Sequence, residues 1–210
     1  MGAVFSDRLL MLFARDMLSR HPNGGVVFDV KCTAHLKPWV EKHGGIPDMQ
    51  PTGHAFIKAR MKQTGALLGG EMSGHFYFAE NWHGFDDALF AGARVIDILS
   101  KGGGMAGIPD SVSSPELAVD MTGKDHHGFI ATAQKHPQRF TQAQNIVTLD
   151  GLRVEYAGGF GLVRASNTTP SLVLRFEASD TAGMSRIQAE FRTALLAIDK
   201  TLKLPFNPGE

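Results

Sequence analysis

A glycine-rich segment near the middle of this 210-residue chain separates two halves with different hydrophobic patterns. From residue 100 to residue 114 the composition changes to a lysine and three glycines, followed by proline, aspartate and serine, which is typical of a flexible interdomain segment. Apolar runs of strand length alternate with helical patterns before this segment, whereas short strand patterns follow one another after it. The sequence therefore predicts two domains, residues 1–111 and 112–210.

The first half has the pattern of an α/β domain. Strand-like runs separated by helical patterns occur at residues 26–30, 46–50, 66–68 and 76–78, and residues 2–5 resemble the end of a further strand. Strands that alternate with helices favour a three-layer α/β domain with a mainly parallel sheet. A helix that starts near residue 85 is expected to present one apolar face made of Leu89, Phe90, Ala93, Val95, Ile96 and Leu99.

The second half is predicted to be a smaller α+β domain with a mainly antiparallel sheet. Helical patterns lie near residues 129–135 and 181–198. Short strand patterns cover residues 116–121, 145–149, 152–156, 161–165 and 172–177. Asp150-Gly151 and Gly158-Gly159 are turn signals between neighbouring strands, so consecutive strands are expected to pair as hairpins.

Composition excludes several classes of partner. The 21 basic and 21 acidic residues cancel, which argues against a general nucleic-acid or membrane surface. No run approaches the roughly 18 apolar residues of a membrane span, and the N-terminus lacks the pattern of a signal peptide. The single cysteine, Cys32, excludes an internal disulfide and fits a reducing compartment. We therefore expect a cytoplasmic protein.

Three polar residues of different chemistry, Glu71, Ser73 and His75, lie close together in the stretch 67–85. An apolar run enters a predicted turn at Gly69-Gly70 before them, and if the loop that follows is extended, alternation places all three side chains on one side. A carboxylate, a hydroxyl and an imidazole suit a ligand with many hydroxyl groups. A polar turn between two strands is the alternative interpretation.

Two other loops follow predicted strands and carry polar residues. Lys31 comes after the run at 26–30, and Thr52, Gly53 and His54 come after the run at 46–50. Ligands of parallel sheets bind beyond the carboxyl ends of the strands. A solvated surface lysine and a helix-capping histidine are the alternatives, but the shared placement favours one site.

The second half contains one dense group of hydrogen-bond donors, at residues 164–170. Arg164 offers a planar fork that matches a phosphate, and four residues with polar side chains follow it: Ser166, Asn167, Thr168 and Thr169. The G-x-x-x-x-G-K pattern of nucleotide triphosphate loops is absent, which favours a small phosphorylated metabolite. A polar hairpin turn beside an ordinary arginine is the alternative. His126-His127 is expected to lie in an exposed loop without metal-ligand partners.

These motifs resemble the α-D-phosphohexomutase superfamily, in particular its bacterial phosphomannomutase/phosphoglucomutase branch. The 70–75 segment, Gly-Glu-Met-Ser-Gly-His, is similar to the sugar-specificity loop of that family, and Met72 favours the mannose/glucose branch. The 164–170 segment, Arg-Ala-Ser-Asn-Thr-Thr-Pro, is similar to its phosphate-binding loop. Further motifs in the same order are Val30-Lys31-Cys32-Thr33, Thr52-Gly53-His54 and Phe85-Asp86-Asp87.

The resemblance implies a role for each candidate residue. It places His75 near the reacting centre. The implied sugar-binding residues are Glu71, Ser73, Lys31, His54, Thr52 and Gly53. The implied phosphate-binding residues are Arg164, Ser166, Asn167 and Thr168.

The resemblance also implies what the whole enzyme does. Family members interconvert hexose 1-phosphates and 6-phosphates of mannose or glucose through a phosphoserine enzyme and a bisphosphorylated intermediate. Their phosphoserine loop, similar to T-A-S-H-N-P, and their magnesium loop, D-G-D-G-D-R, belong to two earlier domains, and neither pattern occurs in this sequence. The chain thus resembles the third and fourth domains alone.

Several expectations follow for partners and cofactors. We expect the chain to bind glucose 1-phosphate, mannose 1-phosphate and the 6-phosphates without turnover, and to pair with the missing N-terminal domains. No metal or other cofactor is expected in this segment, whereas the full-length enzyme would use Mg²⁺. The alternatives are a stand-alone, non-catalytic sugar-phosphate-binding module and an α/β nucleotide-binding protein, the latter weakened because no glycine-rich phosphate loop follows the first strand.

Overall fold

The computed structural model describes residues 4–207, and the chain divides into two compact units, residues 1–109 and 110–210. Residues 2 and 3 of the predicted strand end lie outside the described part, and residues 4 and 5 are not in a strand. Within residues 4–207, no helix combines the length and the apolar character needed to cross a membrane.

The first unit is an α/β domain, as the sequence predicts. Its sheet has the order β2-β1-β3-β4; β1 runs parallel to β2 and β3, and only β4 is antiparallel to its neighbour. The elements, in chain order, are α1 (Ser6–Leu18), β1 (Gly25–Asp29), α2 (Leu36–Lys42), β2 (Ile46–Gln50), α3 (His54–Thr64), β3 (Leu68–Gly70), β4 (Phe76–Phe78) and α4 (Ala88–Ser100).

Helices cover both faces of this sheet and make the three predicted layers. Successive side chains of β1 point to opposite faces, so Val26 and Phe28 join the core cluster with α1, α2 and α4, while Val27 joins the cluster with α3. Phe13 of α1 packs edge-on against two aromatic rings of β4, with ring centroids 5.1 and 5.0 Å apart. Burying an aromatic side chain of this kind contributes about 2–3 kcal/mol.

The predicted apolar face of α4 is only partly correct. Ala91 and Ile98 are buried, whereas Leu89 and Ile96 are 88% and 69% exposed. At 100° per residue, positions 91 and 98 share a direction that lies about 160° from that of positions 89 and 96. One face cannot hold all of the apolar residues of this helix, and the core of the first unit buries the smaller set.

The second unit is an α+β domain with an entirely antiparallel sheet, again as predicted. The strand order is β5-β10-β9-β8-β7, and β6 pairs with the other end of β10. The elements are β5 (Val112–Ser113), β6 (Leu117–Asp120), α5 (His126–Gln134), a 3₁₀ turn (Pro137–Arg139), β7 (Asn145–Val147), β8 (Leu152–Tyr156), β9 (Gly159–Ala165), β10 (Ser171–Ala178) and α6 (Thr181–Leu196).

The core of the second unit lies between the sheet and α6. Phe191 of α6 is fully buried and packs edge-on against Phe176 of β10 at 5.3 Å between ring centroids. The side chain of Asp180 accepts a hydrogen bond from the backbone N–H of Gly183 and caps the helix. The cap fixes where α6 begins, and the ring contact fixes which face it buries.

Candidate functional site

The loops that follow β1, β2 and β3 meet at one buried carboxylate, that of Asp29, the last residue of β1. Its Oδ1 accepts from the Cys32 thiol and from the Met72 backbone N–H, both at 3.1 Å. Its Oδ2 accepts from the Thr52 hydroxyl at 2.9 Å and lies 3.8 Å from Nζ of Lys31. Because parallel strands end at one edge of a sheet, these loops lie together, as the sequence predicts.

The loop after β1 is more buried than a surface lysine would require. The Lys31 side chain is 5% exposed, which excludes the interpretation that it is a solvated lysine. A second buried carboxylate, Asp7 of α1, accepts a hydrogen bond from the backbone N–H of Thr33 at 2.9 Å. Buried charges need such partners, so this loop is held in place by electrostatics as well as by packing.

The 71–75 loop is a tight turn, and the predicted extended alternation is wrong. The Gly74 N–H donates to the carbonyl of Glu71 at 3.0 Å, and Gly74 has a φ of +99° that favours glycine. Residues 69 and 70, predicted as a turn, belong to β3. Because β3 and β4 pair directly, the five residues between them must reverse the chain, which buries Glu71 and leaves Ser73 and His75 exposed.

The Glu71 side chain is oriented by a tyrosine that the sequence analysis did not identify. The Tyr77 hydroxyl donates to Oε1 of Glu71 at 2.7 Å, and both side chains are buried. Burial, together with the hydrogen bond to Glu71, raises the pKa of Tyr77 well above its usual range. The hydroxyl therefore keeps its proton and fixes the direction of the carboxylate.

His75 is oriented by an aspartate of the segment that follows β4. This segment returns along the strand, and Asp86 forms an antiparallel bridge with Tyr77. Nδ1 of His75 lies 2.6 Å from Oδ2 of Asp86, while Oδ1 accepts from the Phe76 backbone N–H at 3.3 Å. A carboxylate only accepts, so Nδ1 carries the proton and Nε2 of a neutral ring is an acceptor.

The loop after β2 places its residues at the start of a helix. Gly53 is the N-cap of α3 and has a φ of +133°, and His54 is the first helical residue and is exposed. The interpretation that His54 caps the helix is therefore wrong, because the cap position belongs to the glycine. The hydrogen bond from Thr52 to Asp29 anchors the residue directly before Gly53 and His54.

In the second unit, the 166–170 loop is organised around one hydroxyl. Oγ of Ser166 accepts from the backbone N–H groups of Thr168 and Thr169 at 3.3 and 3.2 Å, and from the Thr169 hydroxyl at 2.9 Å. Such serine-centred turns are local and rigid. Asn167 and Thr168 are exposed beside it. The sequence analysis assigned the backbone N–H groups of this loop to an anion, but those of Thr168 and Thr169 are directed at Ser166.

Arg164 lies on β9 next to this loop and is oriented by Asp150. The sequence analysis considered Asp150 only as part of a turn. The Arg164 side chain is buried, and its Nε donates to Oδ2 of Asp150 at 2.9 Å. Gly151 makes this contact possible: its φ is +86°, and a Cβ there would lie 2.3 Å from the carbonyl oxygen of Val163. In the sequence, the Asp150-Gly151 pair was the signal that could have indicated this contact.

His126 also differs from its prediction. It is the first residue of α5, not part of an exposed loop, and its Nε2 lies 3.3 Å from the carbonyl oxygen of Ser166. Among residues 4–207, no group of three or more histidine, cysteine, aspartate or glutamate side chains is arranged to hold a metal ion.

Comparison with known proteins assigns both units. Residues 5–110 match the family model described as phosphoglucomutase/phosphomannomutase, alpha/beta/alpha domain III, and residues 116–194 match that of the C-terminal domain. A phosphomannomutase/phosphoglucomutase of Pseudomonas putida is 50% identical over 208 residues, which cover 97% of this chain. The chain spans 44% of the length of that relative.

Solved structures agree with this assignment. A phosphoglucomutase/phosphomannomutase family protein from Burkholderia thailandensis superposes with a TM-score of 0.90 at 46% identity, covering 98% of this chain and 44% of the other. An N-acetylphosphoglucosamine mutase of Aspergillus fumigatus, solved with GlcNAc-6P and magnesium, has the same fold at a TM-score of 0.62 and 16% identity, covering 90% and 44%. The chain belongs to the phosphoglucomutase/phosphomannomutase family and carries its domain III and its C-terminal domain.

Proposed function

We propose that this chain is the substrate-recognition part of a phosphohexomutase that interconverts hexose 1-phosphates and 6-phosphates of glucose or mannose. The observation that carries the proposal is the meeting of three strand-end loops at Asp29. Each of these loops contains a residue type that pairs with sugar hydroxyls or with a phosphate. Family membership supports the assignment of this edge as the sugar-facing one.

In the first unit, the proposed ligand contacts are divided by chemistry. Glu71, with one carboxylate oxygen held by Tyr77, accepts a hydrogen bond from a sugar hydroxyl through the other. Ser73 is exposed and supplies both a donor and an acceptor. The rest of the sugar-facing wall consists of Lys31, Thr52, Gly53 and His54.

His75 has a separate proposed role near the reacting centre. The contact with Asp86 leaves Nε2 as the basic atom of the ring, and the side chain is half exposed. A histidine held in this way can take the proton of the sugar hydroxyl that receives a phosphoryl group. Glu71 and Ser73 then select the sugar, and His75 acts on the hydroxyl.

In the second unit, we propose that the 166–170 loop and Arg164 bind the phosphate group that is not transferred. Asp150 fixes the guanidinium by its Nε, which orients the planar fork. Asn167 and Thr168 offer exposed donors at the same turn, and Ser166 holds the turn in shape. The match of residues 116–194 to the family's C-terminal domain supports this assignment.

The transfer itself requires parts that this sequence does not contain. The resemblance assigns the phosphoserine and the Mg²⁺ loop to earlier domains, and neither sequence pattern occurs here. The A. fumigatus mutase was solved with magnesium, which supports Mg²⁺ use by the whole protein. We therefore propose that the 210-residue chain binds hexose phosphates without turnover and pairs with those domains. A cytoplasmic location fits the single buried thiol of Cys32.

Calorimetric titration of the purified chain with glucose 1-phosphate and mannose 1-phosphate tests this function. We expect saturable binding to the wild-type chain and none to Arg164→Ala, because the phosphate loses its bidentate donor. The matched control is Arg186→Ala on α6, which should bind as the wild type does. Binding that survives Arg164→Ala contradicts the phosphate assignment, and mutase turnover by this chain alone contradicts the proposed division of labour.

A further inference from the structure

Asp29 is a fully buried carboxylate to which the proposed function gives no contact with the ligand. It stands at the end of β1, and its residue type is unexpected there, because a central parallel strand buried on both faces is usually apolar throughout. A buried carboxylate is tolerated only where hydrogen-bond donors surround it. The aspartate at the end of this strand therefore requires a specific physical reason.

The donors around Asp29 come from three separate parts of the chain. They lie 3, 23 and 43 residues further along, at Cys32, Thr52 and Met72. Oδ1 accepts from Cys32 and Met72. Oδ2 accepts from Thr52 and lies 3.8 Å from the ammonium nitrogen of Lys31. Each carboxylate oxygen therefore joins the loop after β1 to another loop.

Each of these loops carries residues of the proposed sugar site next to the donor. Met72 lies between Glu71 and Ser73, and Thr52 precedes Gly53 and His54. A hydrogen bond of about 3 Å to a shared, immobile acceptor fixes the distance between the loops that make it. The spacing of the sugar-facing side chains is thereby linked to one carboxylate.

We infer that Asp29 is a positioning residue that sets the spacing of the three sugar-facing loops without touching the sugar. The inference rests on the proposed function for the identity of the ligand, whereas the linkage itself rests on the contacts of Asp29. An asparagine in its place has the same size but presents an N–H₂ group to one set of donors. One oxygen position is then lost, and at least one loop is released.

The test compares Asp29→Asn with the matched control Asp48→Asn. Asp48 lies in the middle of β2 of the same sheet, and its carboxylate pairs with Arg60 and Gln50. Calorimetry on the full chain should show glucose 1-phosphate affinity about tenfold weaker or more for Asp29→Asn and within about twofold of wild type for Asp48→Asn. Inorganic phosphate, as the probe of the 166–170 loop, should bind both variants equally.

Amide hydrogen exchange gives a readout that does not depend on the ligand. In Asp29→Asn the Met72 amide should exchange faster than in the wild type, while the Val27 amide within β1 stays protected. If Asp29→Asn fails to fold, Cys32→Ala removes one donor to Asp29 at a residue with no proposed ligand contact, and should weaken glucose 1-phosphate binding in the same direction.

Two results separate this inference from the proposed function. A lower unfolding midpoint with unchanged sugar-phosphate affinity and unchanged Met72 exchange shows a purely structural carboxylate and overturns the inference. Failure of the wild-type chain to bind glucose 1-phosphate refutes the proposed function instead, and the Met72 exchange rate then still decides whether Asp29 positions the loop.

Discussion

The two candidate sites of this molecule are held together in opposite ways. The proposed sugar-facing edge of the first unit gathers residues up to 43 positions apart, and buried carboxylates join them. The proposed phosphate-binding loop of the second unit, residues 166–170, is one continuous stretch whose shape comes from hydrogen bonds to Ser166, two and three residues before its donors. The shape of the first site depends on contacts between distant parts of the first unit, whereas the shape of the 166–170 loop depends on hydrogen bonds within its own turn.

This difference predicts how each site responds to substitution. A buried polar group that loses its partner costs about 1–3 kcal/mol of unfolding free energy. A turn hydrogen bond near solvent costs less, because water replaces the lost partner. Changes in the first site should therefore alter stability and affinity together, whereas changes within the 166–170 loop should alter affinity alone.

Tyr77→Phe should lower stability more than Ser166→Ala or Asp199→Asn does. The substitution leaves Oε1 of the buried Glu71 without its donor, so we expect a loss of about 1–3 kcal/mol in unfolding free energy, measured by denaturant titration. Glucose 1-phosphate affinity should fall as well. Tyr156→Phe in the second unit is the control and should leave that affinity unchanged. A variant with wild-type stability and affinity would show that the Tyr77 hydroxyl does not hold Glu71.

Ser166→Ala should separate affinity from stability. Losing this acceptor frees the N–H groups of Thr168 and Thr169, and since these two residues are exposed and water can replace the acceptor, unfolding free energy should change by less than about 1 kcal/mol. Phosphate affinity should fall about three- to tenfold, measured by calorimetry with inorganic phosphate. Ser179→Ala, beside the 158–159 turn, is the control. A large loss of stability would contradict the local character of this loop.

The smallest expected effect concerns an exposed ion pair, Lys124 with Asp199, that belongs to neither candidate site. A hydrogen bond from Lys124, helped by Thr201, lowers the pKa of Asp199 to about 2. Because this pKa is lower in the folded state, the stabilisation is present above the usual aspartate pKa and disappears as pH falls towards 2. Asp199→Asn should flatten the decline of the unfolding midpoint below about pH 4, with Glu41→Gln as control. An unchanged decline would show that the pair contributes nothing measurable.

The sequence predicted both fold classes because period-2 and period-3.6 patterns are local properties. It also predicted that the loops carrying Lys31, His54 and Glu71 meet, since the ends of parallel strands share one edge of a sheet, and in the second of these loops Thr52 makes the contact. The Asp29, Tyr77 and Asp150 side chains were missed because their importance lies in partners that only the fold brings near.

Two predictions failed for geometric reasons. The 71–75 loop has too few residues to stay extended between strands that pair directly, so Glu71 is buried while Ser73 is not. The predicted apolar face of α4 included residues from more than one side of the helix, and Leu89 lies outside its buried side. The roles of the site residues and the boundary between residues 111 and 112 stay predictions.

One NMR titration tests the central proposal that both units recognise a hexose phosphate. Glucose 1-phosphate is added to the isotopically labelled chain while backbone amide shifts are followed, with ATP as the comparison ligand. We predict saturable shifts at Ser73 and His75 in the first unit and at Asn167 and Thr168 in the second, and no matching response to ATP. Shifts confined to one unit, or absent at millimolar ligand, would contradict the proposal.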